Sequence, residues 1–291
     1  MTVGSLLQGG FRLIKERPGA MLIWVLIQLA TTIATSFWMA SAIQSAFDSA
    51  YSGGSVESAQ LSMMMQTLLI GTAATIVSTI LYAAVQRAII HPSEGGPAWL
   101  KLGMDELRFF LLIVLYSIIF GVIAFIAFAI LGVFLAGSGV VGQLVVLALC
   151  FVAGSYFGTK LSLSFPLSLK ERMFAIGEGW SLSNGRFWTL FGAYLIIFLI
   201  LLAVGLAASL ATDPDYISAV ARYGYGSQAA TQASLLQFQK LADGTVDAPI
   251  VIGWVLTALQ GAFGAALFGG AAATAVQQLT TDEEGLSETF S

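Results

Sequence analysis

The side chains most often used in catalysis or metal binding are scarce in this sequence. There is one histidine, His91, which Pro92 follows, and one cysteine, Cys150, inside a long apolar run. A metal-dependent hydrolase would need several His, Asp and Glu side chains, and a reactive cysteine needs a cation or a base beside it. We therefore expect no catalytic residue, no metal site and no cofactor. His91 is expected to be exposed at a helix end, and Cys150 to serve as a small packing residue.

Two further patterns could suggest chemistry. Asp213 and Asp215 flank Pro214, which could indicate a cation site, but two acids beside a proline more often form a turn. The glycines at 95–96 lack the lysine and the preceding strand of a phosphate-binding loop. Neither pattern supports an enzyme.

The composition indicates a membrane protein. Hydrophobic residues make up 57% of the chain, charged residues 10%, and the mean hydropathy is +0.87, whereas roughly a quarter of the residues in a soluble domain are charged. A spanning helix needs about 20 apolar residues. Five charge-free runs reach that length, and they are continuously apolar, which favours helices over strands: 18–47, 58–86, 109–159, 187–212 and 248–281.

The run 109–159 is too long for one span, and we expect it to turn back at the stretch AGSGVVG, 136–142. The predicted fold is all-α, a single polytopic membrane domain over 1–280 that an acidic tail, 281–291, follows. Its six transmembrane helices are expected at 20–43, 64–88, 109–135, 141–163, 188–211 and 250–276.

The distribution of Lys and Arg predicts the orientation. Of the 12 such residues, only Arg222 and Lys240 fall on one side of the predicted bundle. By the positive-inside rule, both termini are expected in the cytoplasm and the loop 212–249 on the other side of a bacterial inner membrane. The net charge of −4 argues against binding of nucleic acid.

A polar, aromatic-rich segment, 168–190, connects the fourth and fifth spans. Ser168 and Glu171 have the spacing of a capping box, which predicts a helix that begins at Ser168 and ends near Gly185. Its apolar face would lie in the headgroup plane, and aromatic and cationic anchors would follow. The face comprises Leu169, Met173, Ile176 and Trp180, and the anchors are Arg186, Phe187 and Trp188.

Two more segments have the pattern of an amphipathic helix that precedes a span. The first apolar face comprises Val3, Leu7, Phe11 and Ile14, and the second comprises Leu100, Met104 and Leu107. These segments suggest three repeats, at 1–88, 91–163 and 166–276, each with an interfacial helix and a membrane hairpin. The repeat hypothesis requires such a helix before every hairpin.

The same connection carries a resemblance. The strings LSLSFPLSLKE and GWSLSNGRFWTLFGAYLI resemble the membrane-domain family named after glycerophosphoryl diester phosphodiesterases, and related bacterial inner-membrane families of unknown function. The resemblance implies a multi-span membrane module, and the chain has no catalytic domain of that family. The matching residues are Pro166, Glu171, Trp180, Ser181, Leu182, Gly185, Phe187, Trp188 and Gly192.

Small residues predict close helix contacts. Gly261, Ala265, Gly269 and Ala273 recur every four residues, so one face of the last span is nearly bare backbone and can approach another helix, within the monomer or in a dimer. Gly154 and Gly158 form a second candidate contact, and Gly269→Leu is expected to disrupt assembly. Lys160, near the end of the fourth span, is expected to extend to the headgroups.

Two function classes follow from the sequence. The first is a non-enzymatic membrane module that organises lipids or a protein complex, with lipids, other membrane proteins or a second copy as partners. The alternative is a transporter or channel for a small uncharged or hydrophobic substrate. The scarcity of ionisable residues inside the predicted spans favours the first class, because such residues mark ion paths.

Overall fold

The structure, a computed structural model, describes residues 1–51, 55–94, 96–135, 139–224 and 226–290, and within these residues it contains helices and no strand. The predicted all-α class is therefore confirmed for the described residues. The helices are α1 (Val3–Glu16), α2 (Pro18–Tyr51), α3 (Val56–Ile90), α4 (Met104–Leu135), α5 (Gly139–Leu161), α6 (Ser164–Glu171), α7 (Ile176–Leu182), α8 (Phe187–Thr212), α9 (Pro214–Tyr223), α10 (Gln228–Ala242) and α11 (Ala248–Phe290).

Five segments of the described chain are long and apolar enough to cross a membrane: Pro18–Ser49, Gln60–Ile90, Pro97–Ala127, Phe187–Thr212 and Ala248–Thr281. They agree with five of the six predicted spans, and the chain has the helices of an integral membrane protein. The remaining span, at 141–163, corresponds to α5, but many of its side chains lie outside the described part. The six-span count stays a prediction, as does the turn at 136–142, because residues 136–138 are not described.

The connection after α5 differs from the prediction. The predicted helix began at Ser168, but α6 begins at Ser164, since Pro166 is tolerated in the first turn of a helix. Arg172 ends α6 in a left-handed conformation (φ 57°), and α7 then starts at Ile176 and ends at Leu182. Ser168 is buried, and its Oγ accepts a hydrogen bond of 3.0 Å from the amide of Ala175. It therefore supports the turn between two short helices and does not cap one long helix.

Helix α6 lies in the protein interior and not on its surface. Leu169, predicted to face the headgroups, is buried against Ala83 and Phe109. The ring of Phe165 lies 5.5 Å from that of Phe109 and 5.6 Å from that of Tyr116. The prediction of one interfacial helix over 168–183 was therefore wrong, because its helical pattern is divided between a buried helix and a separate short one.

The segment before α4 also differs from the prediction. Pro92–Glu94 and Pro97–Trp99 form single 3₁₀ turns, and α4 then begins at Met104. The described residues from 96 to 103 thus contain no separate amphipathic helix ahead of α4. The three-repeat hypothesis required one at this place, and it loses that support.

The predicted loop at 212–249 contains helices α9 and α10. Asp213 caps α9 by accepting a hydrogen bond from the amide of Tyr216 at 3.2 Å, with Pro214 in the first helical position. The two aspartates therefore lie at the start of a helix, where the sequence predicted a turn. Helix α10 contacts both α9 and α2, and Leu241 packs with Ala40 and Ile250.

The chain forms two compact units. Unit 1 comprises Met1–Arg17, Tyr82–Ile197 and Ala265–Ser291, and unit 2 comprises Pro18–Leu81 and Phe198–Gly264. The core of unit 1 lies where α4, α5, α6 and the end of α3 meet. The core of unit 2 includes the contact of α10 with α2 and α11.

Within unit 1, α1 and α11 approach at the level of their backbones. A Cβ atom at Gly270 would lie 2.6 Å from the Cα of Gly10, and one at Gly10 would lie 2.8 Å from the Cα of Leu267. The buried residues of α1 are Leu6, Gly9, Gly10 and Leu13. The predicted apolar face of α1 is therefore not the buried one: Phe11 is exposed, and glycines rather than large side chains make the contact.

The predicted small-residue positions divide into two groups. A Cβ atom at Gly269 would lie 2.9 Å from Cγ1 of Val85, and one at Gly261 would lie 2.8 Å from Nε2 of Gln28, so both glycines make close contacts. Ala273 is buried and Ala265 is half-buried. Cβ atoms at Gly154 and Gly158 would meet no atom of the described residues within 4 Å, so the second candidate contact is not made with any residue that the structure describes.

We expect Gly270→Ala to lower the stability of the folded protein. The added methyl group would meet backbone atoms of Gly10, which cannot rotate away, and overpacking of this kind costs about 1–3 kcal/mol. The matched variant Gly154→Ala places the same group in open space, where alanine is favoured over glycine in a helix by about 1 kcal/mol. Thermal unfolding in a fixed detergent measures both. Equal midpoints for the two variants would contradict the α1–α11 contact.

Candidate functional site

A buried ion pair joins α3 to α4 in unit 1. Arg87, in the last turns of α3, is 1% exposed, and its Nη2 lies 2.6 Å from Oε1 of Glu106 and 3.6 Å from Oδ2 of Asp105. Both acids lie in the first turn of α4, where the helix dipole favours a negative charge. The second oxygen of Glu106 accepts a hydrogen bond from the amide of Gly103 at 3.0 Å. The guanidinium of Arg87 and the carboxylate of Glu106 therefore both have hydrogen-bond partners in the protein.

The connection between α3 and α4 places a backbone carbonyl beside Arg87. Ala98 and Trp99 both have positive φ values, 56° and 55°, a conformation that costs a non-glycine residue about 1–3 kcal/mol. The carbonyl of Trp99 accepts a hydrogen bond of 2.8 Å from Nη1 of Arg87. The indole ring of Trp99 lies 5.1 Å from the guanidinium of Arg17, within the range of a cation–π contact. Arg87 thus holds a strained turn that also contacts the end of α1.

A second, exposed cluster of charges surrounds Glu94. Its carboxylate lies 3.3 Å from Nζ of Lys101 and 2.9 Å from Nη2 of Arg172, and His91 lies 4.0 Å away. The hydrogen bond from Lys101, with the nearby positive charges, lowers the pKa of Glu94. Glu94 therefore stays ionised and joins the turn after α6 to the connection ahead of α4. His91 lies at the end of α3 as predicted, but it is half-buried rather than exposed.

Lys160 was predicted to extend to the headgroups, but in the structure its side chain is buried. The residue is 7% exposed, its Nζ donates a 2.6 Å hydrogen bond to Oδ1 of Asn184, and it lies 5.5 Å from the ring of Trp180. The side-chain oxygen of Asn184 and the face of the Trp180 ring replace water around the ammonium group of Lys160. Lys160 therefore fixes the turn after α7 to α5.

The residues that carry the family resemblance have different environments. Pro166 is buried in α6, and Trp180 is half-buried against the rings of Tyr156 and Phe157. Gly185 has a φ of 73°, which favours glycine at this turn. Leu182 and Phe187 are half-buried, while Glu171, Ser181, Arg186 and Trp188 are exposed.

Exposed cations stand beside exposed apolar side chains at several described places in unit 1, and three of these places lie just before α4, just after α6 and at the start of α8. Lys101 precedes Leu102, which is 84% exposed, and Arg186 is close in sequence to Trp188, which is 78% exposed. Arg172 precedes two exposed apolar residues in the turn after α6. We name this set the interface collar: Lys101, Leu102, Met104, Arg172, Met173, Phe174, Arg186 and Trp188.

The collar has the chemistry of a surface at the boundary between hydrocarbon and water. Tryptophan is enriched at that boundary, and Lys and Arg there can contact phosphate groups. Glu94 links two of its three segments through Lys101 and Arg172. The sequence predicted Arg186, Met173 and Trp188 as interfacial, but it missed Leu102 as an exposed residue and the buried role of Arg87.

No family model, no curated protein and no solved structure matches the chain. The resemblance of residues 161–196 to the phosphodiesterase membrane domains stays a prediction.

We expect Arg87→Met to destabilise the protein by about 3–5 kcal/mol, because it leaves the buried carboxylate of Glu106 without its cation. The double variant Arg87→Met/Glu106→Leu removes both charges and should recover much of that loss. The free energy of unfolding in mixed micelles measures the effect. Arg172→Met is the control, since its exposed pair with Glu94 contributes about 0–1 kcal/mol. A loss for Arg87→Met no larger than that of the control would contradict the role of the pair.

Proposed function

We propose that this chain is a non-enzymatic module of a bacterial inner membrane whose interface collar binds the headgroups of anionic lipids. In this proposal both termini and the collar lie on the cytoplasmic side, and α9 and α10 lie on the other side. The partners are membrane lipids and, through them, other membrane proteins or further copies of the chain. The bundle has six spans, and the kinship with phosphodiesterase membrane domains is part of the same proposal.

The observation that carries the proposal is the pairing of exposed cations with exposed apolar side chains in the collar. A surface of charge alone would suit a soluble partner, and a surface of apolar groups alone would suit hydrocarbon. Side chains such as Trp188 and Leu102, which are 78% and 84% exposed, suit the depth of the glycerol groups, while Arg186 and Lys101 suit the phosphates above them.

The attraction between the cations of the collar and an anionic membrane surface can be given an approximate magnitude. Each Lys or Arg close to an anionic membrane surface contributes about 1 kcal/mol of attraction. The three cations of the collar would therefore contribute on the order of 3 kcal/mol, reduced in part by the carboxylate of Glu94 between two of them. This is enough to select anionic over zwitterionic lipids and too little to hold one lipid permanently.

The buried cations of unit 1 have a structural role in this proposal. Arg87 and Lys160 are buried and hydrogen-bonded to protein groups, so they are not free to bind headgroups. They hold the segments that present the collar.

The transporter or channel for a small uncharged substrate is the second candidate, and the cavity lined by hydroxyl groups in unit 2 favours it.

The test compares lipid binding by two charge-matched variants. Arg172→Gln/Arg186→Gln removes two collar cations, and Arg222→Gln/Lys240→Gln removes two cations of unit 2. One cation of each pair forms an exposed ion pair, Arg172 with Glu94 and Lys240 with Asp247. Native mass spectrometry of the purified full chain with phosphatidylglycerol or phosphatidylcholine reports the number of retained lipids and their affinity.

We expect the collar variant to bind phosphatidylglycerol with an affinity lower by roughly 30-fold, which corresponds to about 2 kcal/mol, and to bind phosphatidylcholine as before. The unit 2 variant should behave like the unaltered protein. Equal losses in both variants would show a nonspecific effect of net charge, and an unchanged phosphatidylglycerol affinity in the collar variant would contradict the proposal.

A further inference from the structure

Unit 2 contains a polar cavity of about 300 Å³ between the C-terminal end of α8, helices α9 and α10, and the first turns of α11. Its volume is at the lower end of the range of ligand pockets, about 300–1,000 Å³, and thus suits a small molecule. Most ligand pockets are lined chiefly by apolar groups. This one is lined by polar and apolar groups in nearly equal parts, and its polar side chains are those of Ser209, Thr212, Asp213, Tyr216, Ser234, Gln237 and Thr257.

Several of these polar groups have no hydrogen-bond partner among the residues that the structure describes. The hydroxyls of Ser209, Ser234 and Thr257 and the side-chain amide of Gln237 form no hydrogen bond with any other described residue. Elsewhere in the chain, helical Ser and Thr commonly donate to the carbonyl four residues earlier, as Thr212 does to Ala208 at 3.0 Å. Uncommitted hydroxyl groups from three helices therefore surround one space. Each can both donate and accept a hydrogen bond.

The charge and the aromatic groups of the cavity narrow the class of ligand. Asp213 is the one ionisable acid of the lining; one of its oxygens caps α9, and partial burial raises its pKa. One carboxylate that already accepts a hydrogen bond from an amide offers few ligands to a divalent cation. Tyr216 and Trp254 provide flat apolar surface, and the indole nitrogen of Trp254 is already bonded to Ser36 at 3.1 Å.

We propose that this cavity binds a small neutral solute with several hydroxyl groups, a sugar or polyol of monosaccharide size. Hydroxyl groups on the solute match the side chains of Ser209, Ser234, Thr257 and Gln237, which both donate and accept, and the carboxylate of Asp213, which accepts. The C–H faces of such a solute match the rings of Tyr216 and Trp254. The site goes beyond the proposed lipid function, because it lies in unit 2, whereas the interface collar belongs to unit 1.

The test uses the full chain in phosphatidylcholine nanodiscs, since detergents with sugar headgroups and lipids with a glycerol headgroup would compete. Saturation-transfer difference NMR and calorimetric titration measure binding of glucose, sorbitol and glycerol. Ethanolamine and inorganic phosphate are the cationic and anionic comparators. We expect saturable binding of glucose or sorbitol that is tighter than binding of either comparator.

Two variants locate the site. Ser209→Ala/Ser234→Ala removes two hydroxyls that have no hydrogen-bond partner among the described residues, so the fold should be retained and the midpoint of thermal unfolding unchanged. Polyol binding should weaken roughly tenfold, as expected for the loss of two hydrogen bonds. The matched control is Ser218→Ala/Thr231→Ala, on the exposed faces of α9 and α10, which should bind like the unaltered protein.

Three results would overturn the inference. They are an absence of saturable binding by every polyol, tighter binding of ethanolamine or phosphate, and equal weakening in the cavity variant and its control. None of these results bears on lipid binding by the collar, so the two proposals fail independently.

Discussion

A bilayer offers no water to a charged side chain, so each cation near the end of a membrane helix must find its partners in the protein or among the headgroups. Arg87 finds them in the protein. Its guanidinium contacts Glu106, Asp105 and the carbonyl of Trp99. That single set of contacts fixes the end of α3 to the start of α4 and holds a turn with two residues in left-handed conformations. The position of Lys101 and Leu102, and with them part of the collar, depends on this turn.

The cations of unit 1 thus have two tasks. Arg87 and Lys160 are buried and connect elements within the unit, while Lys101, Arg172 and Arg186 are exposed, the first two beside the carboxylate of Glu94. Helix α6 shows the same principle with apolar groups. Because Leu169 and Phe165 pack in the interior, the turn that follows carries Arg172, Met173 and Phe174 to the surface. The packing of α6 in the interior therefore determines which side chains the following turn exposes.

Local signals predicted part of this arrangement. Runs of apolar residues gave the positions of five spans, because such runs depend only on neighbours in sequence, whereas proline with aspartate at 213–215 starts a helix and does not form the predicted turn. The burial of Arg87 depends on a glutamate 19 residues later, and the depth of α6 depends on rings from α3 and α4, so neither is visible in a local pattern. The capping-box spacing of Ser168 and Glu171 was misleading, since Ser168 bonds forward to Ala175 instead. The cavity of unit 2 is formed by four helices and had no signal in the sequence beyond scattered hydroxyls.

The account places the collar at the headgroups of the cytoplasmic leaflet, and cysteine accessibility tests that placement most directly. In a Cys150→Ala background, Ser181→Cys lies between the collar segments and Ser218→Cys lies on the exposed face of α9. Intact bacterial cells that express each variant are treated with a membrane-impermeant maleimide, before and after permeabilisation. The account predicts that the Ser218→Cys variant is labelled in intact cells and the Ser181→Cys variant only after permeabilisation. Labelling of the Ser181→Cys variant from outside, with protection of the Ser218→Cys variant, would contradict it.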